Sequence, residues 1–366
     1  MPVAPSYRSL RDFDWPMLIL ACVICVFGVL QIYSATHDTK WAGAWWKQIA
    51  WIVTALFLMW LVTLIDYHTL LAHVSAIYIG SVLTLMATFA IGTKVFGSRR
   101  WIGTGSAHLQ VSEFVKLVIV LLVARYLSEL KAEQLELGDF LRLGGLVGLP
   151  MLLVMIQPDL GTALTYLPIL ITGVFLAGLK WQYAAAIVLI VAIVLPVSYF
   201  FVLKDYQKAR LVSFLDPAQD PKGSGYQVIQ SKIAVGSGAL WGWGVAKGSQ
   251  TQGRFLPVPH TDFIFSAFAE EHGFVGVVLV LGLYFLLLMQ ILQNAQTAPD
   301  RAGMFICMGV ATVLLFHVLV NIGMVVGRMP VTGIPLPLMS AGGSNILSIF
   351  LMLGLVNNVR LRRFVN

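Results

Sequence analysis

The chain has 366 residues, of which 58% are hydrophobic and 11% charged, with a formal net charge of +7 at pH 7. A soluble domain carries roughly a quarter charged residues, so a surface this poor in charge excludes water as the main solvent and leaves lipid. The cysteines, Cys22, Cys25 and Cys307, all fall in apolar runs, which argues against disulfides and for plain packing of the Cys22–Cys25 C-x-x-C over metal or redox work.

A spanning helix needs about 20 mostly apolar residues, and such runs recur along the chain. In order, the sequence predicts spans at 16–35, 47–65, 70–92, 113–130, 142–157, 159–179, 184–203, 263–291, 304–326 and 338–357. That is an all-α, polytopic integral membrane protein of about ten helices, one membrane domain over 1–366 with no repeat of fixed period. The first run begins at Trp15 after Arg8 and Arg11, is full length and lacks a convincing A-x-A exit, so it is expected to stay as an anchor. The fifth and sixth runs are parted only by Gln157-Pro158-Asp159, and the stretch Glu129 to Asp139 reads as a solvated connection.

The large water-facing region is 204–261. Its first half, with Asp216-Pro217, Asp220-Pro221 and Gly223-Ser224-Gly225, reads as turns. Its middle, Tyr226 to Val235, fits a short interfacial helix. Its end is rich in glycine (Gly236, Gly238, Gly242, Gly244, Gly248 and Gly253), a composition that lets backbone N–H groups approach a phosphate, though it matches no phosphate-loop pattern.

The positive-inside rule counts Lys and Arg in short flanks. With the N-terminus inside, the inner segments hold Arg8, Arg11, Arg125, Lys131, Arg142, Lys180, Arg301, Arg360, Arg362 and Arg363. The short outer loops hold fewer: Lys40, Lys47, Lys94, Arg99, Arg100 and Arg328. Both termini are therefore expected in the cytoplasm and 204–261 outside. That loop opposes the rule, with Lys204, Lys208, Arg210, Lys222, Lys232, Lys247 and Arg254 against Asp205, Asp216 and Asp220. It is either a solvated loop too long for the rule to apply, or a basic surface for an anionic partner such as a lipid-linked phosphate.

Ionisable residues inside spans are costly and face a cavity or a partner. Glu113 and Lys116, three apart at the outer start of the fourth span, share a helix face and can pair, as a structural ion pair or as the wall of a polar cavity. Arg100 and Trp101 precede them in the outer loop. Asp159 follows Pro158 and suits a helix cap. Asp262, in Pro257-Val258-Pro259-His260-Thr261-Asp262-Phe263, stands at the start of the eighth span, where it reads either as a cap stabilised by the helix dipole or as a general base. Glu270, Glu271 and His272 lie two to three turns deeper and read first as a structural polar network. Thr332-Gly333-Ile334-Pro335-Leu336-Pro337 cannot be regular helix, and non-helical backbone at membrane depth requires surrounding protein or water. Ser340-Ala341-Gly342-Gly343-Ser344-Asn345 then opens the last span with small and hydroxyl residues.

At these motifs the chain resembles the SEDS family (shape, elongation, division and sporulation). The matching stretches are Arg100-Trp101-Ile102, Ser112-Glu113-Phe114-Val115-Lys116-Leu117, Gln157-Pro158-Asp159-Leu160-Gly161-Thr162, Gly223-Ser224-Gly225-Tyr226-Gln227 through Gln230-Ser231, and Gly236-Ser237-Gly238. They continue with His260-Thr261-Asp262-Phe263-Ile264-Phe265, Pro330-Val331-Thr332-Gly333-Ile334-Pro335-Leu336-Pro337 and Ser340-Ala341-Gly342-Gly343-Ser344. They keep the family's order over nearly the whole chain, and the wording of the Pro330–Pro337 stretch is similar to the elongation branch. Departures are Val111 where the family has Pro, Arg328 where an apolar residue is usual, and Ala341 and Asn345 in place of Tyr and Ser.

The resemblance implies a ten-span glycosyltransferase of the cytoplasmic membrane. It would polymerise lipid II, a disaccharide-peptide on undecaprenyl pyrophosphate, at the outer face during elongation. It implies Asp262 as the essential acid and Glu113 and Lys116 as the acid and lysine of the outer cavity. Arg100, Trp101, Asp159, Arg210, Lys232, His260, Thr261, Ser340 and Ser344 are the expected substrate-binding residues. The expected partners are undecaprenyl pyrophosphate, membrane lipids, a class B penicillin-binding protein (a transpeptidase) and other elongation-complex proteins; no nucleic acid is expected. No cofactor is implied with certainty: the outer acids leave room for a divalent cation, but no ligand set has recognisable spacing. Two rival readings stay open at this point, a lipid II flippase and a non-catalytic scaffold for cell-wall enzymes.

Overall fold

A computed structural model describes residues 12–95, 98–103, 108–130, 135–180, 205–217 and 223–363, together with residues 182, 183, 185, 192, 200 and 220. Helix α1 (Trp15–Thr36) starts where the Asp14 side chain accepts from the Met17 N–H, with a proline in its first turn. Then come α2 (Ala44–Leu64), α3 (Tyr67–Ala72), α4 (Val74–Ile91), α5 (Val111–Glu129), α6 (Leu137–Ile156), α7 (Leu160–Leu164) and α8 (Tyr166–Leu176). The loop region and the last third contribute α9 (Asp205–Leu215), α10 (Ser224–Ser237), α11 (Ser249–Gln252), α12 (Ile264–Gln296), α13 (Arg301–Val325) and α14 (Gly343–Leu361).

Among the described residues, α1, α2, α4, α6, α12, α13 and α14 are long and apolar enough to cross a bilayer, so the chain is a multi-pass membrane protein. The expected fourth span is α5, full length but bearing Glu113, Lys116, Arg125 and Glu129. The sixth is broken into α7 and α8. The expected seventh, 184–203, lies almost wholly outside the described residues. The fifth begins at Leu137, earlier than expected, with Asp139 in a first turn whose free N–H groups favour an acid. The last begins at Gly343, later than expected, because Ser340 to Gly342 belong to the preceding non-helical stretch.

Helices α13 and α14 bury 67% and 83% of their apolar windows, whereas α2, α4, α6 and α12 bury 22%, so the first two form the middle of the bundle and the others face lipid. Helix α13 packs on α5, α8 and α12, and α14 on α2 and α5. Where the start of α1 meets the end of α14, Asp14, fully buried, pairs with Arg360 at 3.2 Å and accepts from Gln290 at 2.9 Å, tying α1 to α12 and α14. A carboxylate at such a site is tolerable only with this pairing.

Two features depart from the sequence reading. A small antiparallel sheet, β1 (Thr93–Val95), β2 (Ser98–Ile102) and β3 (Leu109–Gln110), folds the connection between α4 and α5 over the start of α5. The region 204–261 is also more helical than expected: α9 occupies residues expected as turns, because the turn signals at Asp216 and Pro217 lie just beyond its end. The expected helix over 226–235 is present as the longer α10, docked on α12 and α13 by Ser231, whose hydroxyl meets the Ser266 hydroxyl at 2.8 Å and donates to the Val325 carbonyl at 2.7 Å.

The glycine-rich run has a different role from phosphate approach. Helix α12 breaks at Gly273, at φ 66°, which strands backbone groups on both sides of the break. The loop supplies their partners: the Trp243 N–H donates to the Glu270 carbonyl (3.1 Å) and the Gly244 N–H to the Glu271 carbonyl (2.9 Å), while the Phe274 and Val275 N–H groups donate to the carbonyls of Ala239 (2.9 Å) and Leu240 (3.1 Å). Gly242 and Gly273 lie backbone to backbone, where a Cβ on either would collide with the other segment. Glycine is required here for close approach and for positive φ.

Candidate functional site

A cavity of about 1700 Å³ opens on the side of the bundle that carries 204–261. Two non-helical stretches form its back wall, residues 257–262 and 330–342. Their backbones are laced together. The Ser340 hydroxyl donates to the Thr261 carbonyl at 2.7 Å and accepts from the Leu336 N–H at 2.9 Å. The Ala341 N–H donates to the His260 carbonyl at 2.9 Å. Fully buried Asn321, on α13, donates to the carbonyls of Asp262 (3.0 Å) and Ile334 (2.9 Å), bridging both stretches.

This lacing fixes the backbone of Asp262 and leaves its side chain to the cavity, half-buried, with Oδ2 near the Gly333 backbone. The capping role considered for Asp262 is not seen: the residue before α12 is Phe263, and no side chain caps that helix. Burial raises the Asp262 carboxyl above the ordinary carboxylate range, while the charges of Arg210 and Arg100 and a hydrogen bond from Thr261 oppose the rise. Such a group keeps more basicity than an exposed aspartate.

The other acids at the wall are engaged. Asp159 accepts from the Thr162 N–H at the start of α7, so its expected capping role holds; it also pairs with Arg100 at 3.0 Å and accepts from Gln110 Nε2 at 2.5 Å. Glu113 lines the cavity floor and is bonded to Lys116 Nζ at 2.8 Å and Asn345 Nδ2 at 3.1 Å. Lys116 is fully buried beneath it, its ammonium also 3.1 Å from His317 Nε2, while the other His317 ring nitrogen lies 3.2 Å from the Pro335 carbonyl. The pair is thus a floor strut, and Lys116 does not present its charge to the cavity.

Of the expected residues, Arg100, Trp101, Glu113, Asp159, Arg210, His260, Thr261, Asp262 and Ser344 line one cavity. Ser340 is a clamp behind the wall rather than a lining group. Lys232 is not brought there: it lies exposed on α10 with its stem against Gly327. Arg328 is exposed and outside the lining. The sequence reading missed Gln48, Gln110, His317 and Asn321 as supports; each is a buried polar residue, the signal that could have found them. Along one wall the Arg100 Nε, Trp101 Nε1 and Thr332 Oγ1 atoms are buried without a hydrogen-bond partner, an arrangement that costs about 1–3 kcal/mol per group unless a bound molecule meets it.

Glu270 and Glu271 are structural, as expected. Glu270 accepts from the N–H groups of Gln250 (2.6 Å) and Thr251 (3.0 Å) at the start of α11, and Glu271 accepts from the Ser34 hydroxyl at 2.6 Å. His272 stacks on Phe268 with ring centroids 4.3 Å apart. Among the described residues no group of three His, Cys, Asp or Glu side chains is disposed to hold a metal ion.

Residues 14–363 match the model of a family described as cell cycle protein, which groups FtsW, RodA and SpoVE. The chain is 34% identical to the peptidoglycan glycosyltransferase RodA of Treponema pallidum, over 97% of this chain and 99% of that one. It is 37% identical to the peptidoglycan glycosyltransferase MrdB of Escherichia coli, over 98% and 97%. Among solved structures it resembles a chain described under structural coordination of polymerization and crosslinking by a peptidoglycan synthase complex, with TM-score 0.83, 32% identity and coverage of 97% and 99%. It also resembles the rod shape determining protein RodA of Thermus thermophilus, with TM-score 0.72, 28% identity and coverage of 97% and 98%.

Proposed function

The chain belongs to the SEDS family of FtsW, RodA and SpoVE, and from that premise we propose that it is a peptidoglycan glycosyltransferase that polymerises lipid II during cell elongation. The observation that carries the reading is Asp262, the cavity-lining carboxylate that has neither an ion pair nor a helix to cap among the described residues. A hydroxyl of the acceptor sugar loses its proton to Asp262 and attacks the anomeric carbon of the donor. The new glycosidic C–O bond forms as the bond to the pyrophosphate breaks, and undecaprenyl pyrophosphate leaves with the electron pair. Arg100 and Arg210, whose charges already act on Asp262, face the developing anion. A single displacement assisted by one carboxylate inverts the anomeric centre.

The basic flank count supports cytoplasmic termini and a cavity open to the outer face of the cytoplasmic membrane, where the bilayer delivers a lipid-bound substrate. The structural neighbour from a complex that couples polymerisation to crosslinking supports a class B penicillin-binding protein as partner. A flippase is less well supported: of the candidates for a path across the midplane, Glu270 and Glu271 are held by neighbouring hydrogen bonds and His272 stacks on Phe268. The test is polymer formation from lipid II by purified protein in detergent. Asp262→Ala should abolish it with thermal unfolding unchanged; full activity in that variant removes Asp262 as the base, and polymer formation by the parent separates a polymerase from a flippase or a scaffold.

A further inference from the structure

The reaction above joins two molecules that each carry a pyrophosphate, but at different distances from the new bond. The donor's pyrophosphate is attached to the reacting carbon. The acceptor's is one disaccharide away from the attacking hydroxyl. A site that holds both therefore needs two groups of cations, one beside Asp262 and one removed from it.

The cavity has a second group of cations on its rim. Lys40 from the α1–α2 turn, Lys47 from the first turn of α2, and Arg254 all line it. All three are exposed, and none forms an ion pair with a carboxylate among the described residues. Arg254 sits at φ 60°, a left-handed conformation costly for a side chain of its kind, and donates from Nη2 to the Asp38 carbonyl at 2.8 Å, which joins it to the same turn. Asp38 itself pairs with His37 at 3.0 Å.

A path of rings connects this rim to the base. His260 lies two residues before Asp262, the Trp41 ring is 5.8 Å from the His260 ring, and Lys40 Nζ is 5.6 Å from the Trp41 ring centroid. Burial lowers the His260 pKa, so this imidazole adds an uncharged surface and not another cation. Two ring contacts thus lie between Lys40 and the segment that carries Asp262, and of the lining cations it is Arg100 and Arg210 whose charges act on that carboxylate.

Resting on the glycosyltransferase reading, we infer that Lys40, Lys47 and Arg254 form a second pyrophosphate subsite, for the acceptor, with the acceptor sugars lying along Trp41 and His260 toward Asp262. The subsite that receives the leaving pyrophosphate is then the one at Arg100 and Arg210. Lipid phosphates are bound through charge at both, and the rim subsite has no part in proton transfer.

The full chain in detergent is titrated with undecaprenyl pyrophosphate and the bound stoichiometry is read by native mass spectrometry. Two molecules are expected on the parent protein and one on the Lys47→Ala/Arg254→Ala double variant, whose changes at exposed positions leave thermal unfolding unaltered. One is likewise expected on Arg100→Ala/Arg210→Ala. Kinetically, the rim variant should need a several-fold higher lipid II concentration for half-maximal polymerisation. A parent that binds one molecule, or a rim variant that still binds two, overturns the assignment. So does equal occupancy of the rim by phosphatidylglycerol, which would make it a site for ordinary lipid headgroups. These stoichiometries do not depend on Asp262, so an active Asp262→Ala would defeat the proposed base and leave this result standing.

Discussion

Replacing Lys116 by methionine tests whether the Glu113–Lys116 pair is a strut or a substrate-binding group. Lys116 is fully buried and Glu113 is 4% exposed, so neither charge is screened by solvent. The change removes a 2.8 Å ion pair and the donor to His317 Nε2, leaving Glu113 with the Asn345 amide. Breaking a buried pair on one side typically costs about 3–5 kcal/mol, because the surviving charge is left uncompensated. Adding Glu113→Gln removes that charge while keeping an acceptor for Asn345, and replacing both partners is close to neutral in comparable cases. The assay is thermal unfolding of purified protein in detergent, beside polymerisation from lipid II. The single variant should melt well below the parent, and Glu113→Gln/Lys116→Met should recover most of the difference and much of the activity. A single variant as stable as the parent, or a double variant no better than the single, refutes the strut. A stable double variant without activity would instead assign the pair a direct contact with substrate.

Further expectations follow from the same geometry. The acid limb of the pH–activity profile should fall above the ordinary aspartate value of about 3.9, since burial raises the Asp262 carboxyl. Arg100→Gln removes a charge that favours the ionised form, so the limb should move to higher pH, and an unmoved limb would dissociate Arg100 from Asp262. Asn321→Leu strips the donor shared by the carbonyls of Asp262 and Ile334. It should lower kcat more than it changes the half-saturating lipid II concentration, with a stability loss of about 1–3 kcal/mol; an unchanged kcat would show that the bridge does not position the base. Gly273→Ala places a Cβ 2.6 Å from the Leu240 carbonyl oxygen at φ 66°. Yield of folded protein should collapse, and a normal yield measured by size exclusion would contradict the close packing of loop and helix.

The seven long apolar helices were legible because each is a local property: about twenty apolar residues declare themselves without reference to any neighbour. Asp262 and Asp159 were legible for the opposite reason, as charges in places where charge is expensive. The errors share a cause. The glycines of 236–253 read as a possible phosphate approach, yet several are set by a break in α12 some thirty residues later, and no local rule connects the two. Lys232 belongs to a basic loop, but helix geometry turns it away from the cavity toward Gly327. Lys116 could be placed next to Glu113 from the sequence, while its burial under that residue depends on His317 from a distant helix. The turns expected before Gly223 were real signals read too early, since α9 runs up to the Asp216-Pro217 step.

The exchange of backbone hydrogen bonds at Gly273 has a consequence for how this protein can be recombined. Residues 239–244 complete the interrupted ladder of α12, and 270–275 complete the loop in return, so neither segment is a self-sufficient module. A chimera that takes the 204–261 loop from one relative and α12 from another would cut through that shared ladder. The natural crossover points lie outside both, before α10 and after residue 275, and the fragment between them carries Asp262 with it.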